Sequence, residues 1–421
     1  MAFDNPYLKK HQWCSSRLSS VVPPNLGMVV VVPCYNEPDV LSVLKALSGC
    51  QCPSVAVEVL VVLNHADNAP ERVKRQNDAT YAELTHWIEH RTPYGIQFHL
   101  LDYRDLPRKH AGVGLARKLG LDEGVARFHQ VQREGLLVNL DADCGLDVDY
   151  LCAIEHTFQS QPKIPGAHVY FEHPLTDAGS PAQSQGMLRY ELYLRYYRHA
   201  LGYAGSPYAF YTIGSCMVVR SSAYQKIGGM NRRQAGEDFY FLQKLRSMGS
   251  IADITGTVVR PSARLSDRVP FGTGRAVEAW LIGGSPAYLT YHPKIFVELQ
   301  ALYAAVQDVY VHPDQYPPVS ALMRAFLQAH HSLDKAAEIH ANASRWETFQ
   351  KRFHHWFNGF MCLKFIHFAQ AEYPQVDLHV AATQLLVWLG RAPEVSSYAG
   401  LLQRYREMDR NVNGPRVATI V

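Results

Sequence analysis

Two acidic groupings in the chain have the spacing to do chemistry. Asp141-Ala142-Asp143 follows directly on the apolar run Leu136-Leu137-Val138-Asn139-Leu140. Two carboxylates one residue apart at the carboxyl end of a buried strand can turn hard oxygen ligands toward a divalent cation that holds a diphosphate. Such a tripeptide also occurs as a solvated turn, and its place at the mouth of an α/β sheet is what gives it weight. The second grouping, Gly236-Glu237-Asp238, opens a helical pattern that continues through Phe239, Tyr240, Phe241 and Leu242. Dipole matching alone accounts for acids at a helix start. The turn Gly228-Gly229-Met230-Asn231 just before it favours a separate site-forming segment, where a carboxylate can act as general base toward a hydroxyl.

The elements that must position these groups follow from hydrophobic periodicity. Met28 to Val32 is a β-branched run between Gly27 and Pro33 and reads as a strand buried on both faces. Pro33-Cys34-Tyr35-Asn36-Glu37-Pro38 ends it. Asp39 is a candidate N-cap for a helix carrying Val40, Leu41, Val43, Leu44 and Leu47 and closing at Gly49, and a second strand spans Val57 to Leu63. This is a βαβ unit, with a right-handed crossover and a ligand expected at the strands' carboxyl ends. Alternation continues with a helix at Glu71 to His90, a strand at Ile96 to Leu101, a helix at Gly114 to Arg127 and a strand at Gly135 to Leu140. The front of the chain is therefore α/β with a mainly parallel, Rossmann-like sheet. A tyrosine-rich helical stretch covers Ala182 to Leu201, an apolar segment covers Cys216 to Val219, and another helix starts near Gly236. Beyond about Arg275 strand signals vanish, and Ile295 to Val311, Ala321 to His330, Leu333 to Phe368 and Val380 to Leu389 are helical in period. The expected division is an N-terminal arm over 1–27, an α/β domain over 28–275 and an all-helical region over 276–421.

Composition removes several classes of function. Apolar residues are 47% and charged residues 19% of 421, which supports a packed core. A net charge of +3 gives no reason to expect nucleic acid. No apolar run approaches the ~20 residues of a membrane span. Asp4, Lys9, Lys10 and Arg17 interrupt any secretory h-region, so a cytoplasmic location is expected. The eight cysteines form no paired C-x-x-C set, and Cys50-Gln51-Cys52 reads as ordinary thiols rather than a redox pair. His354-His355 lacks metal-site spacing, and the stripe Tyr190, Tyr193, Tyr196 and Tyr197 reads as helix core.

Taken in order, Val30-Val31-Val32-Pro33-Cys34-Tyr35-Asn36-Glu37, Leu140-Asp141-Ala142-Asp143, Gly228-Gly229-Met230 and Gly236-Glu237-Asp238 resemble the motifs of glycosyltransferase family 2, in a soluble, bacterial-type member with the GT-A fold, over about Met28 to Phe271. The resemblance implies that Pro33, Tyr35, Asn36 and Glu37 contact the base and ribose of a nucleotide-sugar donor. It implies Asp141 near the ribose and metal, Asp143 on a Mn²⁺ or Mg²⁺ cofactor, Asp238 as catalytic base, and Glu237 positioning donor or acceptor. The reaction implied is a single displacement that inverts the anomeric carbon.

The chain departs from that pattern in places. Where the family often has a D-D-x-S stretch, this chain has Asn64-His65-Ala66-Asp67-Asn68; the Asn64 amide can still pair with a base imide, with uridine favoured and guanosine open. The segment Arg108 to Arg117 resembles the glycine-rich stretch before the acidic strand, with Gly112 allowing close approach and Arg117 suited to phosphate, although a solvated basic turn fits nearly as well. The Q-x-x-R-W signature of processive synthases is absent. Arg260 to Arg275 reads either as a lid whose Arg264 and Arg268 neutralise a diphosphate or as a surface linker.

The reading is a metal-dependent inverting hexosyltransferase that moves a sugar, with a UDP-sugar donor favoured, to a saccharide, lipid-linked or small-molecule hydroxyl. The helical region would shape the acceptor site or an oligomer contact, and peripheral membrane contact stays open. The rivals are a sugar-phosphate nucleotidyltransferase and a non-catalytic nucleotide-sugar-binding protein.

Overall fold

The computed structural model describes residues 5–91, 95–175, 180–233, 236–264, 280, 287–391 and 397–411. The chain forms two compact units, one from residues 1–178 with 212–275 and one from 179–211 with 276–421.

The first unit is an eight-stranded sheet with helices. Its elements are α1 (Pro6–His11), β1 (Leu26–Cys34), α2 (Val40–Ser48), β2 (Ala56–Ala66), α3 (Glu71–His90), β3 (Ile96–Leu106), α4 (Val113–Gln130), β4 (Leu136–Asn139), β5 (Gly145–Leu146), α5 (Tyr150–Ser160) and β6 (Gly166–Phe171). After an excursion into the second unit come β7 (Met217–Arg220), α7 (Ser221–Lys226), α8 (Glu237–Arg246) and β8 (Ile251–Arg260). The strand order is β3-β2-β1-β4-β7-β6-β8-β5. The β3, β2, β1 and β4 neighbours are parallel, as the βαβ reading requires, and β7 runs antiparallel between β4 and β6.

Apolar residues explain why β1 lies inside the sheet, between β2 and β4. Val29 to Val32 are fully buried, and each such side chain contributes ~1.5–3 kcal/mol when taken out of water. Helix α4 is buried from Gly114 to Phe128. It can press onto the sheet because two of its glycines face the strands: a Cβ at Gly120 would run into Val31 and Val62, and one at Gly124 into Leu137 and Val29. Near the far end of α4, the Arg127 guanidinium is buried against Glu58 of β2, with Nε donating to Oε2 at 2.7 Å and Nη1 to the Ser20 carbonyl at 2.8 Å. Burial pushes the Glu58 carboxyl up, yet the hydrogen bonds from Arg127 and His99 hold it below its ordinary value. The expected arm contains a helix: Asn5 caps α1, and the buried Tyr7 donates its hydroxyl to Asp122 of α4 at 2.7 Å.

The described residues of the second unit are helical apart from a two-residue strand pair, β9 (Leu289–Thr290) with β10 (Val376–Asp377). Its helices are α6 (Pro181–Tyr203), α9 (Lys294–Ala304), α10 (Val306–Val311), α11 (Ala321–Ala329), α12 (Ser332–Ala341), α13 (Trp346–Trp356), α14 (Gly359–Ala369), α15 (Leu378–Trp388) and α16 (Tyr398–Arg410). The stretch Leu333 to Phe368, helical in period, is broken into α12, α13 and α14. Asn358 marks the last break by accepting from the Phe360 and Met361 amides. No described helix is long and apolar enough to cross a membrane.

A buried ionic network joins α6 to α16. Asp409 accepts from Tyr211 at 2.6 Å, Arg198 at 2.6 Å and His199 at 2.9 Å, and also pairs with Arg195. Glu191 takes Arg195 at 2.7 Å and Arg406 at 2.8 Å. Burial raises the Asp409 carboxyl, but His199, Arg198 and Arg195 together hold it far below the ordinary carboxylate range. Because its folded value is depressed, its stabilisation is complete above the unfolded value of ~4 and is lost as pH falls below it. Asp409→Asn strands buried cations and is expected to destabilise the helical unit by about 3–5 kcal/mol. Thermal unfolding against pH checks this: the wild type should lose stability on acidification below ~4 more steeply than the variant.

Candidate active site

The loop after β1 is shaped by a relay of buried amides. Asn36 sits at φ 49°, in the left-handed region that asparagine tolerates better than most residues. Its N–H donates to Asn77 Oδ1 at 2.9 Å. Asn77, fully buried in α3, donates Nδ2 to the Asn64 carbonyl at 3.0 Å, and Asn64 in turn donates Nδ2 to the Cys34 carbonyl at 3.0 Å. Thr80 closes the loop by donating to the Glu37 carbonyl at 3.1 Å. Pro33, Tyr35 and Asn36 are left half-exposed at the end of β1, whereas Asn64 and Glu37 are buried. The Asn64 side-chain amide group is thus engaged with the backbone of the loop.

Strand β4 pairs with β1, and the Leu140 N–H continues the ladder by donating to the Val31 carbonyl at 3.1 Å. The chain then turns, with Ala142 buried and Asp141 and Asp143 half-exposed. Asp143 Oδ2 lies 3.2 Å from Arg264 Nη2, and the same guanidinium pairs with Glu37. Glu37 also accepts from the Asp39 N–H at 3.2 Å. Arg264 therefore ties the loop after β1 to the turn after β4. Arg268 and the rest of the expected lid lie outside the described residues.

Asp141 Oδ1 accepts from Arg117 Nη2 at 2.5 Å, and Arg117 Nη1 pairs with Glu237. Gly112, half-exposed, precedes α4, and its carbonyl accepts the Ala116 N–H at 3.1 Å. Gly236, at φ 69°, lets the chain enter α8 with Glu237 turned inward and Asp238 half-buried at the surface of the site. Asn231 braces this start by donating to the Glu237 carbonyl at 3.1 Å.

Burial pushes the Asp238 carboxyl up to about 7, and the neighbouring Glu237 charge adds to the rise. Arg117 and the hydrogen bond from the Phe239 N–H work against it. A carboxylate near neutrality is tuned to take a proton at physiological pH.

The structure thus gathers Pro33, Tyr35, Asn36, Glu37, Gly112, Arg117, Asp141, Asp143, Glu237, Asp238 and Arg264 around the ends of β1 and β4 and the start of α8. Asp141 and Asp143 fit a hard divalent cation as a donor pair, with phosphate oxygens and water left to complete the shell. Among the described residues no group of three or more His, Cys, Asp or Glu side chains forms a protein-only cage. Asn77 went unnoticed in the sequence, since it lies in no motif and matters only through contacts across the fold.

No family model matches the chain, and no curated protein matches it. Among solved structures it is similar to residues 1–349 of S. aureus TarS in complex with UDP-GlcNAc, at 12% identity over 91% of this chain and 90% of that one, with a TM-score of 0.37. The same TarS fragment in complex with UDP aligns at 11% identity over 82% and 92%, with a TM-score of 0.36. A mycobacterial protein aligns at 13% identity over 63% and 79%, with a TM-score of 0.33. Superpositions this loose leave the functional reading to the site itself.

Asn77→Ala is expected to cost roughly 1–3 kcal/mol by leaving buried polar partners unsatisfied. Asn64→Ala should cost a similar amount, and the double variant less than the two losses added, because both belong to one network. Urea unfolding of the three variants checks the relay; strictly additive losses would show that the two asparagines act independently.

Proposed function

We propose that the chain is a glycosyltransferase of the GT-A, family 2 type, which transfers a sugar with inversion from a nucleotide-sugar donor to a hydroxyl acceptor. The observation that carries this reading is the meeting, at the carboxyl end of a parallel sheet, of an Asp-x-Asp turn with a helix-borne carboxylate held near neutrality. An acid pair suited to a cation–diphosphate and a base suited to a hydroxyl are the two halves that glycosyl transfer needs.

In this reading Pro33, Tyr35 and Asn36 receive the base and ribose, supported by their half-exposure on the loop that the asparagine relay fixes. The backbone at Gly112 lies toward the diphosphate. Asp141 and Asp143 hold Mn²⁺ or Mg²⁺, which when bound supplies charge stabilisation to the departing nucleoside diphosphate. Asp238 takes the proton of the acceptor hydroxyl as its oxygen attacks the anomeric carbon from the face opposite the leaving group. The new glycosidic bond forms as the bond to the diphosphate oxygen breaks, which inverts the configuration. Glu37 acts through Arg264, keeping that guanidinium beside Asp143.

A thermal-shift panel of UDP-, GDP- and CDP-sugars with and without Mn²⁺ tests the donor class, because a ligand stabilises the folded state by its binding free energy. A UDP-sugar is expected to give the largest shift, and only with metal; release of pyrophosphate from a nucleoside triphosphate and a sugar phosphate would instead place attack at the α-phosphorus. Asp143→Ala should abolish the Mn²⁺-dependent part of nucleoside-diphosphate affinity. Calorimetry with metal and with chelator decides it, and equal affinity in both for the wild type would remove the metal from the reading.

Asp238→Asn should bind donor normally while turnover falls by roughly 10² to 10⁴. Since the base works only when deprotonated and its carboxyl is raised, wild-type kcat/KM should climb with pH through about 7 and level off above it. Wild-type turnover in Asp238→Asn would leave that carboxylate a helix-capping group.

A further inference from the structure

The steps above use Asp141, Asp143 and Asp238, and they leave Arg117 and Gly214 without work. Arg117 is 3% exposed. It lies one turn into α4 from Gly114, whose missing side chain lets the helix meet the Asn231 and Arg233 carbonyls; a Cβ there would lie 3.1 Å from the former and closer still to the latter. The start of α4 is thereby pressed against the loop that leads into α8. From that base the guanidinium reaches two segments at once, Nη1 to Glu237 and Nη2 to Asp141 Oδ1 at 2.5 Å. Its third nitrogen, Nε, is buried without a hydrogen bond. Aiming both Nη groups at carboxylates takes precedence over pairing Nε.

A third segment closes over the same group. A Cβ at Gly214, in the turn just before β7, would overlap Nη1, Nη2 and Cζ of Arg117, so only glycine leaves room for the guanidinium where it sits. Three stretches far apart in sequence, at 141, 214 and 237, thus converge on one side chain. Two carboxylates brought this close repel unless a cation is shared between them, and a planar guanidinium with two forward-facing Nη groups also sets the direction of each. A guanidinium committed in this way is not available to grip a diphosphate.

We infer that Arg117 is a positioning residue, which locks the Asp141 turn to the helix that carries Asp238, and that Gly214 is required because it admits the Arg117 guanidinium. This rests on the glycosyl-transfer reading and adds a residue pair that sets the distance between the donor side of the site and its base. The lock runs through Glu237, so Asp238 is held by its neighbour on α8 rather than by Arg117 itself. Remote misplacement of this kind can cost ~10²-fold in rate with little change in binding.

The test uses the full chain as wild type, Arg117→Lys, Arg117→Gln and Gly214→Ala. UDP with Mn²⁺ is titrated by calorimetry, and turnover is read as release of UDP and free sugar from the donor found by the panel, with water as acceptor, across pH. Arg117→Gln and Gly214→Ala are expected to lower kcat by ~10²-fold while UDP–Mn²⁺ affinity stays within about threefold. The acid limb of the Arg117→Gln pH profile should move to higher pH, because Glu237 and Asp141 still face Asp238 and the cation no longer does. Arg117→Lys keeps the charge and should return the limb toward the wild-type position with partial recovery of kcat. UDP affinity falling in step with kcat would make Arg117 a diphosphate ligand and overturn the inference, as would unchanged kcat in Arg117→Gln. Should that variant fail to fold, Gly214→Ala and Arg117→Lys decide by the same readouts. A wild type that neither binds UDP nor releases sugar overturns the underlying reading, whereas an active wild type with indifferent variants overturns this inference alone.

Discussion

Five carboxylates, Glu37, Asp141, Asp143, Glu237 and Asp238, crowd the ends of β1 and β4 and the start of α8, and among the described residues Arg117 and Arg264 answer them. Like charges in a poorly hydrated space raise one another's proton affinity, so such a cluster persists only where cations are built in at fixed points. Arg117 and Arg264 are those points. Each bridges a pair of acids from different segments, and the two pairs join through the single residue between Asp141 and Asp143. Burial raises the Asp238 carboxyl and the neighbouring Glu237 charge adds to the rise, while the acids of the turn suit a divalent cation.

The rest of the sheet unit serves to bring those segments within reach. Glycines at 120 and 124 leave α4 free to lie close over the strands and Gly114 lets its start meet the loop before α8, and its buried position is what carries Arg117 under the site at one end and Arg127 onto Glu58 at the other. The asparagine relay does the equivalent work on the opposite flank. Side-chain amides replace backbone partners where β1 ends and the chain turns through a positive φ at Asn36. Hydrogen-bonded, buried polar groups are therefore the scaffold of the loop, and the half-exposed Pro33, Tyr35 and Asn36 stand on it.

Much of this was legible in the chain because its signals are local. A continuous β-branched run announces β1, an acid pair follows directly on β4, and a glycine before two acids marks the start of α8. What escaped depends on pairing across the fold. Strand β8 mixes Ile251, Ile254, Val258 and Val259 with Asp253, Thr255 and Gly256, a pattern too weak to show before β6 and β5 are placed beside it. The break between α13 and α14 falls where the Asn358 cap outweighs apolar periodicity. Asn64 was recognisable as an amide at the right place, but its engagement with the Cys34 carbonyl follows only from the closeness of β1 and β2. Helix α6 shows its tyrosines plainly in the sequence, yet nothing local says that it clusters with helices beginning about ninety residues later.

That last arrangement has a consequence for the order in which the protein can be made. Arg195 leaves the ribosome 214 residues ahead of Asp409, the carboxylate that neutralises it together with Arg198 and His199. During synthesis at ~5–20 residues per second, the growing chain therefore holds Arg195, Arg198 and His199 for some tens of seconds with Glu191 but without Asp409. The sheet unit has all its described strands by residue 260 and can close during that wait, whereas the helical unit stays open until its last described helix arrives. Any chain cut short before α16 lacks both the Asp409 carboxylate that these cations share and the buried Leu401, Leu402 and Tyr405, so charge pairing and apolar contact are lost together.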